Sequence, residues 1–443
     1  MSLSRRRFLV ASSLSVAASA VAHAKPLAAV PSLPKASPDL RNWSVVREQF
    51  DLAPEYVHLG LFYLASHPRP VRDAIERYRR KLDANPFLTV ERSMFERPED
   101  HMPTKVCTRI ARYIGGDAND IALTHNTTTG LSLIYHGLQL KQGDEVLTTA
   151  HDHFVHHEAI RLATDRNGAS WRKIPLFDSY DSISSDEIVE RIRKAIQPNT
   201  RVVGVTWVHS ASGLRLPIRR IADAIATVNA QRGASDRVLL VVDGVHGIGV
   251  EDPKIVPLGA DAFAAGTHKW IFGPRGTGFV WARPEVWASM RPLIPTFTAS
   301  EIFDAWAKEK RPDGPPRAAW FSPGGFQAFE HHWALPEAFD FHEAIGSSRI
   351  TERIHALNLQ MNDELRKIPN VIVYTPRNAD LIAGLVCFDV KGKRAEEVVQ
   401  KLLEKKIIAS TTPYAVPFAR VAFGVMNTPG EVEKTASVVR SLA

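Results

Sequence analysis

Two short apolar segments that each lead to one charged residue constrain the fold of this chain more than any other feature. Residues 238–242 are apolar and rich in β-branched valine and end at Asp243, while residues 261–265 are followed by Gly266-Thr267-His268-Lys269. Short apolar runs of this kind, bounded by turn residues, are typical of buried strands in parallel sheets. Because ligands of open α/β sheets bind at the carboxyl edge of the strands, we expect Asp243 and Lys269 to meet at a ligand site.

A carboxylate and an amine at such an edge suit pyridoxal 5'-phosphate (PLP). A lysine amine forms a Schiff base with the aldehyde of this cofactor, and an aspartate keeps the pyridine nitrogen protonated. The two residues therefore predict a PLP site in which Lys269 and Asp243 are catalytic.

Strand and helix patterns alternate along the chain up to about residue 281. Predicted strands at 121–124, 145–149, 171–175 and 201–208 are separated by predicted helices at 131–140, 158–164, 185–196 and 218–228. This alternation favours an α/β fold with a mostly parallel sheet covered on both faces. We predict a linker or arm at 25–56, a large cofactor-binding domain at 57–345, and a small C-terminal α+β domain at 346–443 that includes a strand at 382–390.

One predicted strand runs directly into a helix through small hydroxyl residues. Residues 126–130 read Asn-Thr-Thr-Thr-Gly between strand 121–124 and the apolar segment 131–140. Free N–H groups and the helix dipole at such a helix start suit a phosphate. The threonines would equally well cap the helix, so this segment alone leaves both readings open.

Histidines and cysteines predict no metal site and no disulfide. His151, His153, His156 and His157 lie close together, but no carboxylate or cysteine ligand set accompanies them at metal spacing. Cys107 and Cys387 are expected to be two separate buried thiols, since free cysteine is among the most buried residue types.

The N-terminus predicts a leader at residues 1–24. Ser4-Arg5-Arg6-Arg7-Phe8-Leu9 resembles the twin-arginine export signal, and an Ala/Ser/Val stretch and Ala22-His23-Ala24 follow it. The resemblance implies the twin-arginine (Tat) export machinery as a partner and a periplasmic location. The apolar stretch is too short and too rich in serine to span a bilayer. The net charge of +7 includes the leader arginines, and no basic run elsewhere indicates nucleic-acid binding.

Four motifs taken together resemble the aminotransferase class V family of PLP-dependent fold type I enzymes, in its isopenicillin N epimerase-like branch. They are residues 126–130, Asp152-His153, the segment from Asp243 to His246, and residues 267–278. The resemblance implies a large domain with a mostly parallel sheet of the seven-stranded type, a small C-terminal α+β domain, PLP as cofactor and a homodimer.

The resemblance also implies a role for each site residue. Lys269 is the Schiff-base lysine and Cα proton carrier, and Asp243 pairs with the ring nitrogen. His153 stacks on the ring, and His246 approaches its 3-oxygen. Arg420 grips the substrate α-carboxylate through its guanidinium fork. The remaining cofactor-binding residues are Thr127, Thr128 and His268 at the phosphate, and Ser210, which stands where cysteine desulfurases carry an asparagine.

Three departures from the family pattern narrow the expected reaction. Residues 411–417 lack the nucleophilic cysteine that desulfurases carry before the arginine, so desulfurase activity is not expected. Gly266 stands where many relatives have a phosphate-binding serine. The loop 322–326 matches the family's partner-facing loop poorly, so no residue there is assigned a role.

The resulting prediction is an exported PLP enzyme that acts at the Cα of a small-molecule or peptide amine through a quinonoid intermediate. Transamination is the first choice by family, with epimerisation or elimination as other branches. The alternative is a periplasmic tailoring enzyme of a siderophore or peptide, of the pyoverdine side-chain type. A non-catalytic exported scaffold is the rival of a different class, and the intact pair of Asp243 and Lys269 argues against it.

Overall fold

The structure is a computed structural model that describes residues 38–96, 98–180 and 182–443. The predicted leader at 1–24 and residues 25–37 of the predicted linker lie outside the described residues. In the described part of that linker, a short helix at Trp43–Arg47 is capped by Asn42, whose side chain accepts from Ser44 N.

Regular elements follow along the rest of the described chain. The strands are β1 (Val57–His58), β2 (Ile121–Thr124), β3 (Glu145–Thr149), β4 (Ser170–Ile174), β5 (Thr200–Thr206), β6 (Leu239–Asp243), β7 (Ala262–Gly266), β8 (Gly278–Ala282), β9 (Val371–Val373), β10 (Val386–Val390), β11 (Ile407–Ile408), β12 (Ser410–Thr411) and β13 (Ala419–Val421). The α-helices are α1 (Trp43–Arg47), α2 (Arg69–Ala84), α3 (Pro86–Glu91), α4 (Met102–Ile114), α5 (Thr127–Gly137), α6 (Phe154–Asn167), α7 (Ser185–Ala195), α8 (Ile218–Asn229), α9 (Pro284–Ser289), α10 (Ser300–Ala307), α11 (Phe329–Trp333), α12 (Leu335–Ile345), α13 (Ser347–Arg366), α14 (Ala395–Glu404) and α15 (Pro429–Leu442).

The central sheet has seven strands in the order β2-β8-β7-β6-β5-β3-β4. All neighbouring pairs are parallel except those of β8, which runs antiparallel to β2 and β7. The predicted fold, a mostly parallel sheet of the seven-stranded type, is therefore confirmed. β6 and β7 are adjacent, and Asp243 is in register with Ala264, so the ends of both strands reach the same edge.

Alternate residues of the central strands enter two different hydrophobic cores. In β6, Leu240 and Val242 pack into one core and Val241 packs into the other. A strand buried on both faces has no polar face, which explains why these segments read as continuous apolar runs rather than as alternating patterns.

A smaller sheet forms the C-terminal part of the chain. Its strands are antiparallel in the order β12-β13-β10-β9, and α13, α14 and α15 share a core with them. β1 pairs in parallel with β11, so the chain at residues 57–58 joins the C-terminal part before it enters the central sheet. The predicted division at residue 346 stays a prediction.

Several predicted bounds differ from the observed ones for local reasons. Helix α5 begins at Thr127 instead of residue 131, because the side chain of Asn126 caps its first turn. The predicted strand 382–390 begins only at Val386, since Leu381 and Ala383 bond to a hairpin that extends from β5. Cys107 and Cys387 are both free thiols. Among the described residues, no helix combines the length and apolarity that a bilayer crossing requires.

Candidate active site

A cleft of about 640 Å3 opens at the carboxyl edge of the central sheet. This volume lies within the range of roughly 300–1,000 Å3 that small-molecule and cofactor sites occupy. Every residue to which the sequence assigned a site role lines the cleft: Thr127, Thr128, His153, Ser210, Asp243, His246, His268, Lys269 and Arg420. Residues up to 293 positions apart in the sequence, from Thr127 to Arg420, thus share one concave surface.

The amine of Lys269 lies in the cleft against an imidazole. Its Nζ is 3.1 Å from Nε2 of His246, and the indole Nε1 of Trp270 donates to Nδ1 of the same histidine at 3.3 Å. An indole N–H only donates, so Nδ1 accepts and the proton of the neutral ring resides on Nε2. Trp270 thereby fixes the tautomer that presents an N–H donor to the cleft.

Burial lowers the pKa of Lys269 to about 8, with Asp243 opposing this shift and Arg420 adding to it. Burial also raises the pKa of Asp243, while the nearby charges of His156 and Lys269 act against this effect. The Asp243 side chain accepts from Val245 N at 3.1 Å. Lys269 is therefore an amine that loses its proton readily. Asp243 is a buried carboxyl group that a neighbouring cation would ionise.

The start of α5 forms an anion cradle beside β7. The side chain of Asn126 caps the helix by accepting from Thr129 N at 2.9 Å, and Thr127 Oγ1 accepts from Gly266 N at 2.8 Å. A Cβ atom at Gly266 would lie only 2.8 Å from the ring of His268. In this chain the imidazole of His268 fills the space that a serine at position 266 would need, which accounts for the glycine.

The four clustered histidines face four different surroundings. His153 lines the cleft and also caps α6, where its Nδ1 accepts from Val155 N at 3.3 Å, so the capping role and a site position coexist. His151 stacks on an aromatic ring, His156 bonds to Tyr135 beneath the sheet at 2.7 Å, and His157 bonds to a backbone carbonyl. Burial lowers the pKa of His153 to about 4, which keeps its ring neutral.

Arg420 is a buried guanidinium at the far side of the cleft. It donates to the carbonyl of Ser210 at 3.1 Å and to Ser410 Oγ at 3.2 Å, and the ring of Phe62 lies 4.0 Å from its Cζ. Its Nε has no partner among the described residues. A buried guanidinium that lines a cleft suits a carboxylate ligand.

Sequence reasoning missed several groups at the site. Phe62, Thr206 and Ser410 line the cleft, and Tyr414 bonds to Ser210 at its edge. No motif carries Phe62, which follows β1. Ser410 and Tyr414 both come shortly before Arg420 in the sequence, and this closeness was the available signal.

The described residues fit PLP. A helix start with free N–H groups and threonine hydroxyls suits a phosphate. A buried lysine with a lowered pKa suits bond formation to an aldehyde. The side chain of Arg420 lines the same cleft, and no large side chain fills the space between these groups.

Similarity to known proteins extends over most of the chain. The Aminotransferase class-V family matches residues 65–434. An isopenicillin N epimerase from Amycolatopsis lactamdurans is 26% identical over 413 residues, which cover 90% of this chain and 98% of that protein.

Solved structures share the fold. An apo cysteine desulfurase from Thermococcus onnurineus NA1 has a TM-score of 0.77 at 23% identity, covering 90% of this chain and 97% of that one. A mutant of C-DES with glycine covalently linked to the PLP cofactor has a TM-score of 0.76 at 20% identity, covering 88% and 98%.

Proposed function

Because the chain belongs to the Aminotransferase class-V family and is a PLP-dependent enzyme, we propose that it acts at the Cα of an amino-acid-type substrate, with transamination as its reaction. The observation that carries this proposal is the placement of the Lys269 amine, with its pKa lowered to about 8, in one cleft with Asp243 and the guanidinium of Arg420. PLP chemistry on an amino acid requires three groups: an amine that binds the cofactor aldehyde, an anion beside the ring nitrogen and a cation for the substrate carboxylate.

Several residues would hold the cofactor. Thr127, Thr128 and His268 would bind its phosphate with the start of α5, and His153 would cover the ring. Asp243 would hold the ring nitrogen in its protonated form, and the Nε2–H of His246 would donate to the 3-oxygen. When bound, PLP supplies an aldehyde for amines and a ring that accepts electrons from Cα.

Lys269 would carry the proton of the reaction. Below pH 8 most of its amine is protonated, and above that pH it is mostly a free base. A lysine whose pKa lies near the working pH takes up and returns a proton with little cost in either direction. Nζ would remove the substrate Cα proton while Arg420 holds the carboxylate.

Desulfurase activity is not part of the proposal. That reaction needs an accessible thiolate, and neither cysteine lines the cleft. Cys387 is buried next to the Ser210 carbonyl, at 3.9 Å, and burial raises its thiol pKa to about 12. Burial likewise raises the pKa of Cys107 to about 12.

A substrate panel with purified holoenzyme tests the proposed reaction. Each amino acid is incubated with a 2-oxo acid in deuterated water, and transfer of the amino group, deuterium at Cα and change of Cα configuration are followed together. We expect amino transfer that depends on the 2-oxo acid. Deuterium uptake with inversion and without transfer would establish epimerisation instead.

A peptide substrate is the second candidate, and the rim of the cleft favours it. Tyr63 is 77% exposed and Phe154 is 58% exposed, and both line the cleft. Exposed aromatic side chains around a pocket suit a bulky ligand. Turnover of peptidyl or side-chain amines, without turnover of the same amino acids in free form, would support periplasmic tailoring of a peptide product.

We also propose that the enzyme is exported through the twin-arginine system and works as a homodimer. The leader motif at residues 4–9 supports export. For the dimer, Phe326 is 79% exposed beside the exposed Leu293 and Ile294, and Gly324 N bonds to Pro295 O at 2.8 Å, so these apolar groups share one surface. Sedimentation equilibrium is expected to give twice the chain mass, and a monomer that turns over substrate would contradict the dimer.

A further inference from the structure

Trp270 received no role from the sequence, and the structure gives its indole a specific partner. Its Nε1 donates to Nδ1 of His246 at 3.3 Å, and Nε2 of the same imidazole lies 3.1 Å from Nζ of Lys269. Trp270 packs in the core and is 1% exposed, whereas His246 and Lys269 line the cleft. The three side chains therefore form a chain of two hydrogen bonds that leads from the core to the amine.

The number of protons in this chain determines the direction of both bonds. An indole nitrogen donates and has no lone pair to offer, so Nδ1 of His246 accepts and carries no proton. The imidazole is then neutral, with its one proton on Nε2. Because Nε2–H donates, Nζ of Lys269 must accept, and only an unprotonated amine has a lone pair for this. The observed contact therefore belongs to the free amine of Lys269.

Protonation of Lys269 is incompatible with this chain. An ammonium group has three donors and no acceptor, so it would face the N–H of His246 donor against donor. The imidazole could accept from the ammonium only if its proton moved to Nδ1, the atom to which the indole N–H already donates. The indole of Trp270 thus disfavours the charged form of an amine that it does not touch.

The other ionisable groups around the amine act independently of the indole. Burial lowers the pKa of Lys269 most, Asp243 raises it, and Arg420 lowers it further. His153 at the start of α6 and His268 after β7 also face the amine, but burial lowers the pKa of both rings to about 4 and keeps them neutral. None of these four side chains is bonded to the indole, so replacing the indole leaves their effects in place.

The indole itself is held by a contact from the C-terminal part of the chain. A Cβ atom at Gly384, shortly before β10, would lie 2.4 Å from Cη2 of Trp270, and the three atoms nearest to it all belong to the indole. Gly384 has no positive φ, so the backbone there accepts alanine. The loop after β6 packs on the main chain, since a Cβ atom at Gly249 would lie 2.8 Å from the carbonyl carbon of Trp270. A methyl group at position 384 would therefore displace the indole from outside the cleft.

We propose that Trp270 is a positioning residue that, through His246, favours the unprotonated amine of Lys269, the form that bonds to the cofactor. The inference rests on the proposed function, in which this amine attacks the cofactor aldehyde. Trp270 would touch neither cofactor nor substrate. It would act by holding the imidazole proton on the nitrogen that faces the amine.

Uptake of PLP by the apoprotein, followed by absorbance from pH 6 to pH 10, tests the proposal. In Trp270→Phe the imidazole proton is free to move to Nδ1, and Nε2 then accepts from the ammonium group of Lys269. We expect the midpoint of the uptake profile to rise by about one pH unit, so that uptake at pH 7 becomes about tenfold slower and the plateau at high pH is retained. A purely structural role would lower the plateau and leave the midpoint at its wild-type value.

Three further variants separate positioning from general damage. Gly384→Ala displaces the indole without removing it, and it is expected to raise the midpoint in the same direction. Trp287→Phe removes an equally buried indole, whose Nε1 donates to Asp120 O at 3.0 Å, and it is expected to keep the wild-type midpoint. His246→Gln removes the ring through which the indole acts, so adding Trp270→Phe to it is expected to cause no further shift.

The outcomes distinguish this proposal from the proposed function. An unchanged midpoint in Trp270→Phe, or a shift that adds to that of His246→Gln, would overturn the positioning role and leave the proposed function intact. If Trp270→Phe does not fold, Gly384→Ala decides, and its wild-type midpoint would overturn the positioning role equally. A wild-type apoprotein that takes up no PLP at any pH would overturn the proposed function itself.

Discussion

At the scale of single residues, the proposed reaction depends most on the pKa of the Lys269 amine. Burial brings the pKa of Lys269 from 10.5 to about 8. Only the neutral amine attacks an aldehyde, so we expect covalent PLP uptake by the apoprotein to rise about tenfold per pH unit below pH 8 and to level off above it. Stopped-flow absorbance from pH 6 to pH 10 measures this profile.

An unperturbed lysine would give a different profile. Its uptake rate would keep rising toward pH 10.5, and that result would contradict the buried site described for Lys269. Lys269→Arg retains the positive charge, and because a guanidinium does not deprotonate in this range, this variant is the control that takes up no covalent cofactor.

The carboxylate of Asp243 gives a second test at this scale. Asp243→Asn retains the shape of the side chain and removes its charge, so the ring nitrogen loses the anion that keeps it protonated. We expect the variant to bind PLP but to lose turnover on the order of a hundredfold, as when one preorganised electrostatic group is removed.

A charged cofactor provides the matched rescue for this variant. N-methylated PLP keeps a positive ring nitrogen without any help from the protein, so it is expected to restore much of the lost activity in Asp243→Asn. If the variant stays equally inactive with both cofactors, Asp243 has a role other than charge pairing.

Residue types and spacing were enough to place the predicted residues in one cleft, but they did not reveal the contacts that set each residue's state. The bond of Trp270 to His246 and the bond of Tyr414 to Ser210 join residues that are 24 and 204 positions apart. Such pairs depend on side-chain orientation and loop path, and no periodicity in a sequence encodes either property.

At the scale of elements, the hairpin after β5 connects the central sheet with the C-terminal part. Arg215 N donates to Leu381 O at 2.9 Å, and Ala383 N donates to Gly213 O at 3.3 Å. Gly213 has φ +72°, and a methyl group on its Cα would collide with the carbonyl of Leu385. This close approach leaves no room for a side chain at position 213, in the hairpin that carries Ser210.

We expect Gly213→Ala to lower the free energy of unfolding by about 3 kcal/mol, since it combines left-handed backbone strain with a backbone clash. Gly392→Ala is the matched control, because Gly392 has φ +77° but nothing lies within 4 Å of its Cβ position. That variant is expected to lose only about 1 kcal/mol. Urea unfolding measures both values, and equal losses would show that the hairpin contact contributes nothing.

The sequence predicted which segments are helices and strands because their apolar patterns are strong. The ends of these elements depend on contacts with distant segments, which the sequence pattern does not show. β2 and β3 lie where the sequence predicted them, since their apolar runs end at turn residues. The strand predicted at 382–390 was too long, because the hairpin takes the backbone bonds of residues 381–383. Local sequence patterns could not predict the pairing of β1 with β11, because it joins residue 57 to residue 407.

At the scale of the whole molecule, the segment from Arg47 to Phe62 packs on the C-terminal part of the chain. Arg47 pairs with Glu431 of α15 at 2.8 Å, β1 joins β11, and Phe62 packs on Arg420 in the cleft. Because Phe62, near the start of the described chain, contacts Arg420 in the cleft, the N-terminal and C-terminal segments must come together before the site is complete. This order is compatible with export of an already folded protein.

The export proposal makes a prediction for the full-length chain. Replacing Arg5 and Arg6 by lysine keeps the charge of the leader but removes the arginine pair, and we expect the protein then to remain in the cytoplasm with its cofactor bound. Cell fractionation with an absorbance spectrum of the purified protein measures both properties. Periplasmic enzyme from this variant at wild-type levels would contradict the twin-arginine route.

Borohydride reduction of the holoenzyme, followed by peptide mapping, shows directly whether Lys269 is the residue that holds the cofactor. Reduction fixes the bond between the cofactor and the amine that holds it, and mass spectrometry then locates the modified residue. We expect one phosphopyridoxyl group on the peptide that contains Lys269, and none in the Lys269→Arg variant. A label on any other lysine, or no label on a protein that binds PLP, would contradict it.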